Sequence, residues 1–131
     1  MKDIIAKLLA IYHYAKDIHY TTRGPNFYST HLLMDRICDG IHDQIDSIYE
    51  VCYLGTGKIP PTSYEVLKVA TATIPDGINL EDLLDLISNT IGAIEDIKKQ
   101  YITYGGEQSL FDDIQKGLLQ KKGLLERTVN I

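Results

Sequence analysis

The sequence predicts an all-α protein, a four-helix bundle in which one long connection crosses between the second and third helices. Three observations favour this fold class. Apolar residues recur every three or four positions through most of the chain, stretches containing glycine and proline interrupt them at few places, and no segment has the pattern of a convincing strand. With 131 residues, the chain is expected to form one domain spanning residues 1–131.

Two predicted helices account for the N-terminal part of the chain. The first spans residues 2–20, and the Gly-Pro pair in the stretch TTRGPN ends it. The second spans residues 27–54, with isoleucine and leucine at helical spacing, and the stretch GTG ends it. We therefore expect two long helices joined by a short turn.

A proline-bounded connection, KIPPTSYEVLKVATATIPDG, precedes the remaining helices. Its centre is expected to form a short extra helix capped by Thr62 or Ser63. The third long helix spans residues 79–104 with Asn79 as its N-cap, and the fourth spans residues 107–127 after a Gly-Gly pair. Four long helices with one long crossover have the connectivity of a ferritin-like bundle.

The composition is that of an ordinary globular protein, with 44% hydrophobic and 24% charged residues. No apolar run approaches the roughly 18–20 residues that a membrane span needs. Acidic and polar residues interrupt the N-terminal stretch MKDIIAKLLAIYHYAKD, and no small-residue cleavage site follows it, so a secretory signal is not expected. We therefore expect a cytoplasmic protein in which Cys38 and Cys52 are reduced packing residues.

The net charge of the chain bears on its partners. The 13 basic and 18 acidic residues give a net charge of −5. A dedicated DNA-binding protein should have a basic surface, so DNA binding is not expected. The lysines and the arginine of the C-terminal segment, residues 114–131, are interpreted as a solvated helix face. An acidic chain is compatible with channels or cavities that attract cations.

The second predicted helix carries histidine and carboxylate side chains at regular spacing. His31 and Asp35 are i,i+4 neighbours, and so are Asp46 and Glu50. On a continuous helix the 11-residue step between the two pairs leaves an angular offset of only about 20°, so all four side chains share one face. The pairs are nevertheless separated by roughly 22 Å along the axis. They cannot bind one metal ion within a single chain.

An antiparallel pair of these helices would bring the two halves together. If two copies pack about a two-fold axis near residues 40–41, the histidine pair of one copy lies opposite the carboxylate pair of the other, which generates two identical sites. Imidazole and carboxylate ligands suit iron, with zinc or manganese as competitors, and His19 could supply a second imidazole. The alternative is that these residues form a solvated helix face with structural histidines.

The same residues resemble the mini-ferritins, the Dps family of DNA-binding proteins from starved cells. In that family a histidine and an aromatic residue end the first helix, a turn with Gly, Asn and Phe follows, and the second helix has the spacing H-x3-D-x10-D-x3-E. The resemblance extends over nearly the whole chain. The matching elements are HY at 19–20, RGPNF at 23–27, and the residues His31, Asp35, Asp46 and Glu50.

The resemblance implies a ferroxidase centre at a two-fold interface. One subunit would contribute His19, His31 and Asp35, and the other would contribute Asp46 and Glu50, with Glu50 as the bridging or primary carboxylate. Glu50, Asp46 and His31 would be the catalytic residues of an oxidoreductase that acts on iron. Family members form hollow dodecamers, oxidise Fe(II) preferably with hydrogen peroxide, and store a ferric mineral inside. The implied partners are therefore copies of the same chain.

The chain also departs from the family. It begins MKDII and lacks the Lys/Arg-rich N-terminal tail with which many members bind DNA, and Tyr20 follows His19 where the family usually has tryptophan. An intrachain di-iron site of conventional ferritins is excluded because no Glu-x-x-His motif occurs. The alternative function is a structural or nucleoid-associated assembly with weak metal sites. His42 and Asp39, near the expected two-fold axis, are interpreted as interface hydrogen-bonding residues rather than ligands.

Overall fold

The computed structural model describes residues 1–129, which are predominantly helical. No strand occurs among these residues, so the predicted all-α class is confirmed. None of the helices within this part of the chain has both the length and the apolar character that crossing a membrane requires. In chain order the elements are α1 (Lys2–Thr21), α2 (Phe27–Cys38), α3 (Ile41–Ile48), a π-helical segment (Tyr49–Leu54), α4 (Ser63–Thr73), α5 (Leu80–Gln100) and α6 (Gly105–Val129).

The second predicted helix is not continuous, so that prediction is wrong. Asp39 has an extended backbone, with ψ 130°, and Gly40 has a left-handed one, with φ +80°. Together they end α2 at Cys38 before α3 begins at Ile41. Glycine adopts positive φ at little cost because it has no Cβ. The angular offset of about 20° assumed a straight helix. It therefore does not describe how the predicted ligands before and after the break are oriented.

Lys121 of α6 stabilises this break. Its Nζ donates a hydrogen bond of 2.8 Å to the carbonyl oxygen of Asp39, and the side chain is only 8% exposed. Carbonyls at a helix C-terminus lack intrahelical donors, so a buried ammonium group is a suitable partner for them. Burial lowers the pKa of Lys121. The interpretation of the C-terminal basic residues as a solvated face is wrong for this lysine.

The core is organised around α1, which contacts α2, α3, α4 and α5. A helix that is packed on several sides must be apolar over most of its circumference, and α1 meets this condition. Helix α6 packs against α5 and also contacts α2, α3 and the π-helical segment. The largest fully buried side chains include Ile4, Ile5, Leu8, Ile11, Tyr14, Met34, Ile37, Ile41, Ile48, Leu83, Ile87 and Phe111.

The predicted short helix and the predicted N-caps of α4 and α5 are confirmed. Thr62 and Glu65 form a capping box at the start of α4, in which each side chain bonds to the other's backbone N–H. The Asn79 side chain caps α5 by accepting a bond of 2.8 Å from the Asp82 N–H. Helix α4 packs on α1. Tyr14 of α1 holds the end of the connection between α4 and α5, since its hydroxyl accepts from the Asn79 N–H.

Candidate metal centre

Three of the predicted ligands come together within one chain, at the corner where α1 meets α2. His19 lies in the last turn of α1, and His31 and Asp35 lie on α2. Each offers a ligand atom, and these atoms all lie within 4.8 Å of one another. His19 is buried, whereas the Asp35 side chain is 50% exposed. The cluster therefore has an inner side of imidazole and an outer side that solvent reaches.

The two histidines hold each other in a defined orientation. His19 Nδ1 lies 3.0 Å from the His31 carbonyl oxygen, and His31 Nδ1 lies 3.1 Å from the His19 carbonyl oxygen. Because a carbonyl oxygen can only accept, both Nδ1 atoms carry the hydrogen, and in the neutral ring each Nε2 keeps its lone pair. The rings are stacked, with centroids 3.6 Å apart. This tautomer is the one that binds a metal through Nε2.

The Asp35 carboxylate is paired with a cation of its own chain. Its Oδ1 lies 3.5 Å from the Nζ of Lys16 and 3.5 Å from Nδ1 of His19. A metal ion at this corner therefore competes with the ammonium group of Lys16 for the carboxylate. Lys16 was not among the predicted site residues, although its position three residues before His19 places both on one face of α1.

Asp46 and Glu50 do not join this cluster. Asp46 lies on α3 and Glu50 in the π-helical segment, and both are exposed. Within residues 1–129 no other group of three His, Cys, Asp or Glu side chains meets the same distance criterion. Glu50 borders a different cavity of about 360 Å³, which is also lined by Tyr104, just before α6, and by Glu107 in the first turn of α6. One chain therefore presents the predicted ligands as two separate groups.

His42 and Tyr20 flank the cluster in different ways. The ring of His42 packs against the ring of Tyr12, with centroids 4.3 Å apart, and borders a cavity of about 250 Å³ shared with Asp35 and Asp39. The ring of Tyr20 stands edge-on to His19 with centroids 5.1 Å apart, and Tyr20 is 75% exposed. An aromatic ring therefore borders the outer surface of the candidate site.

The cysteines are buried, as the sequence predicts for packing residues. Burial raises the pKa of Cys38 and of Cys52 to about 11, and for Cys52 the nearby Glu107 carboxyl group contributes as well. Glu107 is only 2% exposed, and its Oε1 accepts a long bond of 3.4 Å from the Tyr104 N–H at the start of α6. Both thiols are therefore neutral at physiological pH and unsuited to binding a metal as thiolates.

No protein-family model matches the chain, and a comparison with curated proteins gives no match. The function is therefore inferred from the residue pattern and from the geometry at the corner between α1 and α2.

Proposed function

We propose that the protein is an iron-oxidising mini-ferritin of the Dps type, with a ferritin-like four-helix bundle. The contacts between helices support the bundle. Helix α1 contacts the α2–α3 region, which contacts α6. Helix α6 contacts α5, and α5 contacts α1, so these four helical units form a closed ring of neighbours. Helix α4 lies in the connection between the α2–α3 region and α5, where a ferritin-like bundle has its crossover. This arrangement is compatible with the connectivity of ferritin-like folds.

The observation that carries the proposal is the cluster of His19, His31 and Asp35. Two imidazoles and one carboxylate suit ferrous iron and leave coordination positions open for an oxidant or further ligands. The reciprocal hydrogen bonds place the hydrogen of each neutral ring on Nδ1, which leaves the Nε2 lone pair for a metal ion. The exposed carboxylate side allows an iron ion to reach the rings from solvent.

The remaining ligands are proposed to come from a second copy of the chain. Asp46 and Glu50 are exposed and lie outside the histidine cluster of their own chain, so they are available to a partner. A two-fold dimer would form two identical sites, each with two imidazoles and three carboxylates. Further assembly into a hollow dodecamer would provide the space for a ferric mineral.

The proposed reaction consumes iron as a substrate. Two ferrous ions each give up one electron, and together these reduce one hydrogen peroxide molecule, with two protons, to two water molecules. Anionic carboxylate oxygens are hard ligands, so they favour the ferric product. Because peroxide is reduced by two electrons at the site, no hydroxyl radical is released.

Anaerobic ferrous titration followed by peroxide tests the proposal. The native protein should oxidise iron, as read from ferric absorbance, whereas His31→Ala and Glu50→Ala should lose this activity. His13→Ala and Asp85→Ala are matched controls, because both residues are exposed on α1 and α5 and lie outside the cluster. Unchanged oxidation in His31→Ala and Glu50→Ala contradicts the proposal.

Mixing the two inactive variants tests whether the site is shared. In a dimer of His31→Ala with Glu50→Ala, one of the two sites receives both substitutions and the other receives neither. Random reassociation after unfolding should therefore restore about a quarter of the native activity, since half of the dimers are mixed and half of their sites are intact. No recovery, with reassociation verified by mass, would contradict the shared site.

A structural assembly remains the second candidate, and one observation favours it. The Asp35 carboxylate is paired with Lys16, and the histidines make backbone hydrogen bonds, so the cluster is satisfied without a metal. A nucleoid-associated protein should retain DNA in a gel at low salt and release it as salt rises. Retention of DNA together with absent iron oxidation would favour this candidate over the ferroxidase.

A further inference from the structure

The π-helical segment places an unusual backbone geometry at Glu50. Residues Tyr49–Leu54 follow α3 directly, and the Gly55 N–H donates a hydrogen bond of 2.7 Å to the Glu50 carbonyl oxygen, five residues back. The Lys58 N–H makes a similar bond of 2.9 Å to Tyr53. Single π-helical turns within or at the end of α-helices are frequent at functional sites.

Gly55 is required here by close approach of the backbone. A Cβ added at this position would lie 2.7 Å from the carbonyl oxygen of Val51 and 3.3 Å from that of Glu50. Both are backbone atoms, so the contact cannot be relieved by rotating a side chain. The backbone of Gly55 itself is ordinary, with φ −66°, in contrast to Gly57, whose φ is +75° and whose Cβ position is open. Any side chain at residue 55 must therefore displace the hydrogen-bonded turn.

The displacement acts directly on the backbone of Glu50, because the Glu50 carbonyl oxygen is one of the two atoms that a Cβ at residue 55 would crowd. Ile48 and Cys52 are both almost fully buried and fix the chain before and after this residue. A shift of the Glu50 carbonyl between these two buried residues requires changed backbone torsions within Tyr49–Val51. Such a change redirects the Glu50 side chain, because the Cα–Cβ direction follows the backbone.

We propose that Gly55 is a positioning residue for the Glu50 carboxylate, acting through the π-helical segment. The inference rests on the proposed function, in which Glu50 binds metal. Groups that orient a metal ligand without touching the metal change affinity or activity by roughly 10- to 100-fold when they are replaced. Gly55→Ala should therefore weaken Co²⁺ binding about tenfold.

Co²⁺ titration of the assembled protein provides the first test, because the visible spectrum reports the ligands and geometry around the ion. Gly55→Ala should alter the spectrum and weaken binding. Gly92→Ala should leave both unchanged, since Gly92 lies on α5 and its Cβ position is open. In a Glu50→Gln background, Gly55→Ala should have no further effect, because its action passes through the missing carboxylate. An equal effect in both backgrounds, or none in either, overturns the inference.

Two outcomes separate this inference from the proposed function. If Glu50→Gln binds Co²⁺ as the native protein does, the proposed function fails, and the role of Gly55 fails with it. If Glu50→Gln weakens binding but Gly55→Ala does not, only the positioning role is overturned.

A measurement on the native protein keeps the inference testable if Gly55→Ala does not fold. Coupling between metal binding and the turn is reciprocal, so Zn²⁺ should slow hydrogen exchange of the Gly55 amide by about the factor that Gly55→Ala would cost in affinity, about tenfold. Glu50→Gln should abolish the slowing. Unchanged exchange at this amide with bound Zn²⁺ overturns the positioning role.

Discussion

Replacing Gly40 with alanine should destabilise the protein, although glycine-to-alanine substitutions in helices usually stabilise. Gly40 has φ +80°, and a Cβ there would meet no atom within 4 Å, so the effect comes from the backbone alone. A left-handed conformation costs a non-glycine residue roughly 1–2 kcal/mol. The smaller entropy of the unfolded alanine chain offsets roughly 0.4–1 kcal/mol of this. The free energy of unfolding should fall by about 1 kcal/mol.

Gly92→Ala is the matched comparison, because Gly92 lies inside α5, is exposed and also has open space at its Cβ position. This variant should gain roughly 0.5–1 kcal/mol, since alanine is the better helix former. The two substitutions are chemically identical and should shift stability in opposite directions. Urea unfolding measures both, with the midpoint shifted and the slope m unchanged.

The sign of the Gly40→Ala effect decides between two structures of the second helical region. A continuous helix, as the apolar spacing predicts, would make Gly40→Ala stabilising by the same amount as Gly92→Ala. A break at this residue makes it destabilising. Measurements at two protein concentrations exclude a contribution from dimer dissociation, which would depend on concentration. A stabilised Gly40→Ala at both concentrations would refute the break.

Four further outcomes follow from the structure. Thr62→Ala removes the side chain that caps α4 and should cost about 1 kcal/mol in a thermal or urea unfolding experiment, whereas a neutral result would contradict the capping box. Lys16→Met removes the cation that competes for Asp35 and should tighten Co²⁺ binding in calorimetry, with weaker binding as the contrary result. Native Cys38 and Cys52 should react with a thiol reagent at pH 8 roughly a hundredfold more slowly than in the unfolded chain, because a pKa of about 11 instead of 9.0 leaves little thiolate. The same raised pKa values mean that the unfolded chain loses these protons first, so the free energy of unfolding should fall as pH rises from 9 towards 11, and a constant stability there would contradict them.

The sequence predicted the elements whose signals are local. Thr62 and Asn79 cap the helices that they were expected to cap, because a capping side chain bonds to backbone groups only three residues away. The break at Gly40 was missed because isoleucine or leucine continues at helical spacing on both sides of it, and a lone glycine does not by itself end a helix. The π-helical segment was missed because its hydrogen bonds depend on where Gly55 approaches the preceding turn.

The candidate site was predicted in composition but not in arrangement. The spacing identified His31 and Asp35 as neighbours, and the resemblance grouped His19 with them. In the structure, the packing of α1 on α2 brings the three together. The hydrogen bond from each histidine ring to the backbone carbonyl of the other depends on how α1 packs against α2, which the spacing of apolar residues does not encode. The burial of Lys121 likewise follows from its contact with the Asp39 carbonyl, 82 residues away in the chain.

The histidine pair links α1 to α2 whether or not a metal ion binds. The carbonyl of His19 lies in the last turn of α1, where the helix offers no N–H of its own, and the ring of His31 supplies one. An alanine at either position therefore removes a hydrogen bond between α1 and α2 together with a proposed metal ligand. Asparagine in place of His31 can still donate a hydrogen bond from its side-chain amide, but it lacks the Nε2 lone pair. His31→Asn therefore distinguishes the loss of the hydrogen bond between the helices from the loss of metal binding.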